Sequence, residues 1–237
     1  AVNDPRAAGA LVQSLVKDGA DMIKAVHDRE LQHRVVIADA TIAAIAAEAS
    51  RLKIPLLLHT RDSADLVRLT NLGVNRIVHT PLIGSLADIA AAGELQTEGL
   101  AVQTTLSWVS PEIDRARRRK PQTQRFAVGL ENVRYLVDQG VPVAFGTDNP
   151  PPLGEASFMP EVRALSQVLS NAEIIRAMTY HAAVFLHLEH SIGSVRPGLI
   201  ADVVMVEGDP LTDLGALERV RRVFQGGRPV ASADSRR

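Results

Sequence analysis

Five short apolar runs, each followed by a segment of helical periodicity, constrain this chain more than any other feature. They cover residues 20–26, 54–59, 75–79, 100–106 and 142–147. The run at 54–59 is too short for a helix and reads as a buried strand. Between the runs, apolar residues recur at helical spacing: Ile42, Ile45, Ala46, Ala49 and Leu52 fall on one face of a helix over 41–52. Further helices are expected over 5–17, 63–72, 85–93, 127–139, 159–169 and 173–186, with Gly19, Gly73, Gly93 and Gly140 as stops. Ser63 reads as a helix cap, Ser85-Leu86-Ala87-Asp88 as a capping box, and Ser110-Pro111-Glu112 as a helix start with proline at the first helical position. Alternating strands and helices imply an α/β fold, a parallel sheet with helices outside it.

Past Gly193 the texture changes. Residues 201–206 and 219–224 are β-rich, and Gln225-Gly226-Gly227-Arg228-Pro229 makes a tight turn, so a small all-β appendage is expected. The organisation is then 1–192, 193–231 and a polar tail, 232–237, expected to be disordered.

A chain of 237 residues suffices for one large domain with or without an appendage. A formal net charge of −1 gives no electrostatic case for nucleic acid or an anionic membrane as partner. The basic run Arg115, Arg117, Arg118, Arg119 and Lys120 follows in the helix opened at Pro111; it reads as a solvated surface helix or mobile loop rather than an anion or nucleic-acid patch, because no aromatic residues interleave with it. Without cysteine, disulfides and thiolate metal sites are excluded. No apolar run approaches the roughly 18 residues of a transmembrane helix. No signal peptide stands at the start, and both cytoplasmic and exported locations stay open. The chain opens on Ala1 with no initiator Met, so a removed or longer upstream segment is expected.

Lys24 ends the stretch Ala20-Asp21-Met22-Ile23 of the first run, His59 and His79 end the second and third, and Asp148 follows the fifth. In a barrel of alternating strands and helices the carboxyl ends of the strands converge on one face, and that face carries the active site. Neutral imidazoles and carboxylates suit zinc and similar divalent ions, and catalytic sites keep a position open for water. Lysine ligates only once neutralised or modified. An aspartate beside the metal can take and return protons. Singly, each residue has a plain explanation: a hydrogen-bonded structural histidine, a turn aspartate in Gly146-Thr147-Asp148-Asn149-Pro150, a solvated lysine. Four at the same end of expected strands are harder to explain that way.

These residues carry a resemblance. Gly19-Ala20-Asp21-Met22-Ile23-Lys24, Leu58-His59-Thr60, the stretch 74–79 closed by His79, and Gly146-Thr147-Asp148 resemble the motifs of strands four, five, six and eight of the amidohydrolase superfamily. Within it, the chain is most similar to the imidazolonepropionase and Xaa-Pro dipeptidase-like branch. The most specific part is Ala177-Met178-Thr179 with Ala182-Ala183, then Ile192-Gly193-Ser194-Val195-Arg196-Pro197-Gly198, Ala201-Asp202-Val203-Val204-Met205-Val206 and Asp209-Pro210-Leu211. The resemblance implies a partial TIM-like (β/α) barrel of about strands four to eight, followed by C-terminal strands of a small β-sandwich. It implies that Lys24, commonly carboxylated in the family, joins His59 and His79 at one metal. Asp148 would touch a second metal and act as general acid and base. One or two ions, zinc by default, would activate water against an amide, cyclic amide or peptide-like C–N bond. Arg61, Thr80, Asn149 and Tyr180 are positioned to contact such a small-molecule or peptide-like substrate.

The family's first strand carries a His-x-His pair, and this chain has none. His187 and His190 are separated by two residues, and His27 and His33 follow strand four. The chain therefore resembles the C-terminal half to two-thirds of a family member. Its open sheet edge implies self-association or completion by an N-terminal segment. The alternative to an enzyme is a non-catalytic remnant, or a subunit that needs a partner segment.

Overall fold

The structure, a computed structural model, describes residues 3–29, 36–91, 95–149 and 156–230. The expectations for His33, for Gly93 as a helix stop and for the tail at 232–237 lie outside those residues. In chain order the elements are α1 (Pro5–Lys17), β1 (Ile23–Val26), α2 (Asp39–Arg51), β2 (Leu56–His59), α3 (Ser63–Thr70), β3 (Arg76–Val78), α4 (Leu86–Ala91) and β4 (Ala101–Gln103). A 3₁₀ turn (Leu106–Val109), α5 (Pro111–Ala116), α6 (Thr123–Asp138) and β5 (Val143–Ala144) follow. Then come α7 (Phe158–Leu165), α8 (Asn171–Met178), α9 (Tyr180–Phe185), β6 (Val203–Val206), a second 3₁₀ turn (Leu214–Glu218), β7 (Val220–Gln225) and β8 (Arg228–Pro229).

Strands β1 to β5 pair in parallel in sequence order. One level of the register runs across the whole sheet: Val26 opposes His59, His59 opposes Val78, Val78 opposes Gln103 and Gln103 opposes Ala144. Side chains alternate between the two faces. One face carries Ile23, Ala25, Leu56, Leu58, Ile77, Val102 and Val143, packed against Val12 of α1, Ile42 of α2, Leu66 of α3, Leu86 of α4 and Leu136 of α6. Burying each of these larger side chains is worth about 1.5–3 kcal/mol. On the opposite face Leu57, Val78, Ala101 and Ala144 pack with Phe185 of α9, flanked by Ala182 and Leu186.

Arg76 fastens α9 there. Its buried guanidinium donates to the carbonyls of Phe185 at 3.0 Å, Val184 at 3.2 Å, Gly99 at 2.7 Å and Asn75 at 2.9 Å. A third apolar cluster joins Leu82, Leu106, Val133, Leu165 and Ile174, tying the first 3₁₀ turn to α6, α7 and α8.

Several elements differ from their sequence pattern for identifiable reasons. The fourth run leaves strand geometry after the Thr104 amide bonds the Ala144 carbonyl at 2.7 Å, and beyond it the buried Glu161 carboxyl group takes the amides of Leu106 at 3.1 Å and Ser107 at 2.5 Å. The fifth run pairs only at Val143–Ala144, since the Phe145 amide turns to the Ala177 carbonyl at 3.0 Å. Asp62, not Ser63, caps α3, its carboxylate accepting from Ala64 and Asp65. Ser85 accepts from the Asp88 amide at 3.2 Å, and Ser110 caps α5 by accepting from Ile113. The periodicity over 173–186 is interrupted at Thr179, whose backbone leaves the helical region while its hydroxyl donates to the Ile175 carbonyl at 2.7 Å. The basic run leaves the helix after Arg115: α5 ends at Ala116, and Arg118 has φ 51°.

Strands β6, β7 and β8 form a separate antiparallel sheet. Gly226 and Gly227, at φ 57° and 76°, make its two-residue hairpin, a turn needing positive φ at both positions. Pro229 sits on the edge strand, where no ladder donor is required. Among the described residues no helix is long and apolar enough to cross a membrane.

Gly129 of α6 is held glycine by packing: a Cβ there would lie 2.5 Å from Leu106 Cδ2 and 2.8 Å from Leu82 Cδ2. Gly129→Ala should gain helix propensity yet lose net stability, by about 1–3 kcal/mol through overpacking. Denaturant unfolding of the two proteins measures the difference, and equal or greater stability of the variant would contradict this packing.

Candidate active site

The site lies at the carboxyl ends of the central strands. His59 is the last residue of β2, and His79 follows the last residue of β3. Strand alternation alone would turn His79 to the helix-covered face with Ile77. Instead its backbone takes φ 78°, a costly conformation for a residue with a Cβ, and the imidazoles meet edge to face with ring centroids 4.3 Å apart. Asp148, in the loop after β5, is also left-handed at φ 49°. Its Oδ2 lies 3.8 Å from His79 Nε2, and its side chain is 62% exposed.

Lys24 stands differently from the sequence reading that made it a strand end. β1 begins at Ile23 and continues to Val26, so Lys24 is the second residue of the strand. It opposes Leu57, two residues before His59, and is exposed on the face that His59 shares. Its charge still reaches both imidazoles and lowers their pKa values, although it is a lesser cause at each. Burial is the largest cause at His59 and at His79, and it takes His79 down to about 3, with the neighbouring His59 next. Both rings are thus biased toward the neutral form in which imidazole ligates metals.

Each ring has one nitrogen anchored by the protein. Asp28 Oδ2 accepts from His59 Nε2 at 2.8 Å and from Arg61 Nε at 2.7 Å. Thr105 Oγ1 lies 2.8 Å from His79 Nδ1. A carboxylate can only accept, so His59 carries its proton on Nε2 and keeps the lone pair on Nδ1. With His79 donating to Thr105, its lone pair stands on Nε2, the atom nearer Asp148. Outer partners of this kind orient metal-binding histidines. Among the described residues no three His, Cys, Asp or Glu side chains stand close enough together to hold a metal ion.

Asp28 and Thr105 were missed by reasoning from the sequence. Asp28 does carry the signal used for the others, a polar residue just past a strand, but Lys24 had been taken as that strand's end. Thr105 was read as strand interior. Of the four substrate positions, Arg61 is committed to Asp28. Thr80 is buried beside His79, its hydroxyl without a partner among the described residues. Asn149 follows Asp148 and donates to Ser107 Oγ at 3.2 Å and to the Thr147 carbonyl at 2.9 Å. Tyr180 opens α9, and its ring lies 6.1 Å from that of His181.

Behind β1 a second network supports the site. His27, 1% exposed, lies 2.8 Å from Arg68 Nη2 and 3.5 Å from the Asp65 carboxylate. Asp65 also accepts from Arg68 at 2.9 Å and from Arg29 at 3.3 Å, while Arg68 reaches on to Asp39. Burial alone would raise the Asp65 pKa, but Arg68, His27 and Arg29 outweigh it and hold the carboxyl below its ordinary value of 3.8.

The sequence profile of the amidohydrolase family matches residues 12–230. Over 105 residues, 42% of this chain, the sequence is 30% identical to the imidazolonepropionase of Shouchella clausii (strain KSM-K16), of which that stretch is 24%. A crystal structure of an amidohydrolase superposes with a TM-score of 0.78 at 25% identity, covering 98% of this chain and 59% of the other. A prolidase crystallised with N-methylphosphonate-L-proline gives a TM-score of 0.78 at 24% identity, over 97% of this chain and 59% of that one. The chain thus spans well under two thirds of these proteins.

Because the Asp65 pKa is lowered in the folded chain, its contribution is present above pH 3.8 and is lost as pH falls through the folded value. Asp65→Asn should lower stability at pH 7 by roughly 1–3 kcal/mol and flatten the fall in stability on acidification. Urea unfolding of both proteins at a series of pH values checks this, and parallel acid limbs would contradict it.

Proposed function

The chain belongs to the amidohydrolase family, and on that premise we propose that it carries the catalytic portion of a metal-dependent hydrolase. The bond cleaved is an amide, cyclic amide or peptide-like C–N bond. The observation that carries this reading is the His59–His79 pair, in which Asp28 and Thr105 hold one nitrogen of each ring and leave Nδ1 of His59 and Nε2 of His79 open.

His59 and His79 would hold the ion, zinc by preference for such donors. When bound, the ion supplies Lewis acidity toward a carbonyl oxygen and a lowered pKa for water. Lys24 joins them once it has lost its charge, by deprotonation or by carboxylation to a carbamate. Asp28 fixes the His59 ring and neutralises Arg61. Asp148, exposed and close to His79 Nε2, takes the proton of the attacking water on its carboxylate and passes it to the leaving nitrogen as C–N breaks and C–O forms.

The sheet β1–β5 is read as strands four to eight of a (β/α) barrel within residues 1–192, and β6–β8 as part of a β-sandwich within 193–231. A purely parallel sheet is stable with both faces covered. Here five helices line one face, and Phe185, Ala182 and Leu186 of the C-terminal end of α9 pack on the other. An upstream segment or a second chain would complete the barrel. The second reading is a non-catalytic remnant, or a subunit that needs a partner segment, and the observation on its side is that no three His, Cys, Asp or Glu side chains cluster among the described residues.

Metal content by elemental analysis separates the two. The hydrolase reading expects about one or two ions per chain, and hydrolysis of dipeptide or cyclic amide substrates followed by product analysis. Folded protein with no metal after zinc loading would overturn it. Lys24→Ala should lower metal content and hydrolysis together while circular dichroism stays unchanged, and undiminished metal would remove Lys24 from the site.

A further inference from the structure

The basic run at 115–120 is organised around an aromatic ring that the sequence does not place beside it. Past the end of α5, the Arg117 guanidinium lies 4.0 Å from the centre of the Trp108 ring, and that of Arg119 lies 5.5 Å from it. The first 3₁₀ turn carries Trp108 to this position. Stacking over indole orients the plane of a guanidinium and excludes water from one side of it.

The two cations are unevenly compensated. Asp114, 1% exposed, is bonded to Arg119 and accepts from the Gln122 amide at 2.8 Å. Arg117 makes one hydrogen bond among the described residues, from Nη2 to Asn149 Oδ1 at 2.7 Å. Its Nε and the Nη2 of Arg119 are buried with no partner among the described residues. Burial, and then the neighbouring Arg119 cation, lower its pKa, and the charge of Asp114 only partly offsets them. A guanidinium offers five N–H donors in a fixed fork that fits a carboxylate.

The position of this cation ties it to the chemistry. Asn149, which it holds, follows Asp148 directly, and Asn149 is itself held by Ser107 and the Thr147 carbonyl. Asp148 lies 3.8 Å from His79, so two consecutive loop residues, Asp148 and Asn149, link the imidazole pair to the guanidinium.

We propose that Arg117, seated on Trp108 and steered by Asn149, forms an anion subsite that binds a carboxylate carried by the substrate. That the carboxylate belongs to a hydrolysed amide rests on the hydrolase reading above; the affinity of the subsite for carboxylate does not. The substrates selected would be N-acyl amino acids or short peptides with a free carboxylate near the scissile bond, over their uncharged amides.

Trp108 is the chain's single tryptophan, so the emission of the intact protein reports on this subsite. It is titrated with N-acetylglycine, and with N-acetylglycinamide as the uncharged counterpart, at constant ionic strength. A saturable change with N-acetylglycine alone is expected. Arg117→Met should raise the apparent Kd at least about tenfold, the loss expected for a charged hydrogen-bonding partner. Arg115→Met, an exposed arginine of the same run, should leave it unchanged. An equal response to the amide, or a wild-type Kd in Arg117→Met, overturns the proposal. Should Arg117→Met fail to fold by circular dichroism, Arg117→Lys decides: it keeps the charge and loses the fork, so weaker binding supports the subsite and unaltered binding overturns it. Failure of the hydrolase reading would appear separately, as absent metal and hydrolysis with carboxylate binding intact.

Discussion

Parallel pairing in a single register is the constraint on which the rest depends. Since Val26, His59, Val78, Gln103 and Ala144 form one row across β1 to β5, residues just past that row arrive together at one edge of the sheet. Asp28, His79 and Thr105 are neighbours for this reason, although 77 residues separate the first from the last (105 − 28). A slip of one residue in any pair would turn its side chains to the other face and separate His59 from His79. The cores on the two faces fix the register, and the register assembles the candidate site.

Two of the site residues pay for their placement in backbone conformation. His79 and Asp148 both have positive φ without being glycine. Such conformations persist where surrounding bonds over-determine them. Here the bonds are visible: Thr105 and the His59 ring hold His79, and the Asn149 side chain, tied to Arg117, Ser107 and Thr147, anchors the residue after Asp148. The polar groups around the imidazole pair thus hold its geometry as well as bias its charge.

Much of the fold was legible because apolar periodicity reports which face of an element is covered. Ile42, Ile45, Ala46 and Ala49 pack where their spacing implies, and the Gly226-Gly227 turn joins the strands it suggests. His59 and His79 were legible because a polar residue closing an apolar run is a local signal. What the sequence hid depends on geometry that no period encodes. The chain past β4 is held by a carboxyl group 55 residues from Leu106, and the end of β5 is set by a carbonyl of α8. Lys24 lies within its strand because pairing starts only at Ile23. Trp108 and Arg117 meet across a 3₁₀ turn and a helix of 6 residues, so inspection for interleaved aromatics finds nothing.

The four bonds of Arg76 also bear on the order in which the chain can fold. The bonds to Phe185 and Val184 close a loop of more than a hundred residues, the separations being 109 and 108, and contacts of that span are slow to form. During synthesis the guanidinium and the apolar face beside it must wait until the ribosome has released residue 185. Until then Leu57, Val78, Ala101 and Ala144 lack the Phe185 cover they have in the finished fold. Exposed apolar surface of this kind invites aggregation in folding intermediates, so the late arrival of α9 defines an interval of vulnerability for the nascent chain.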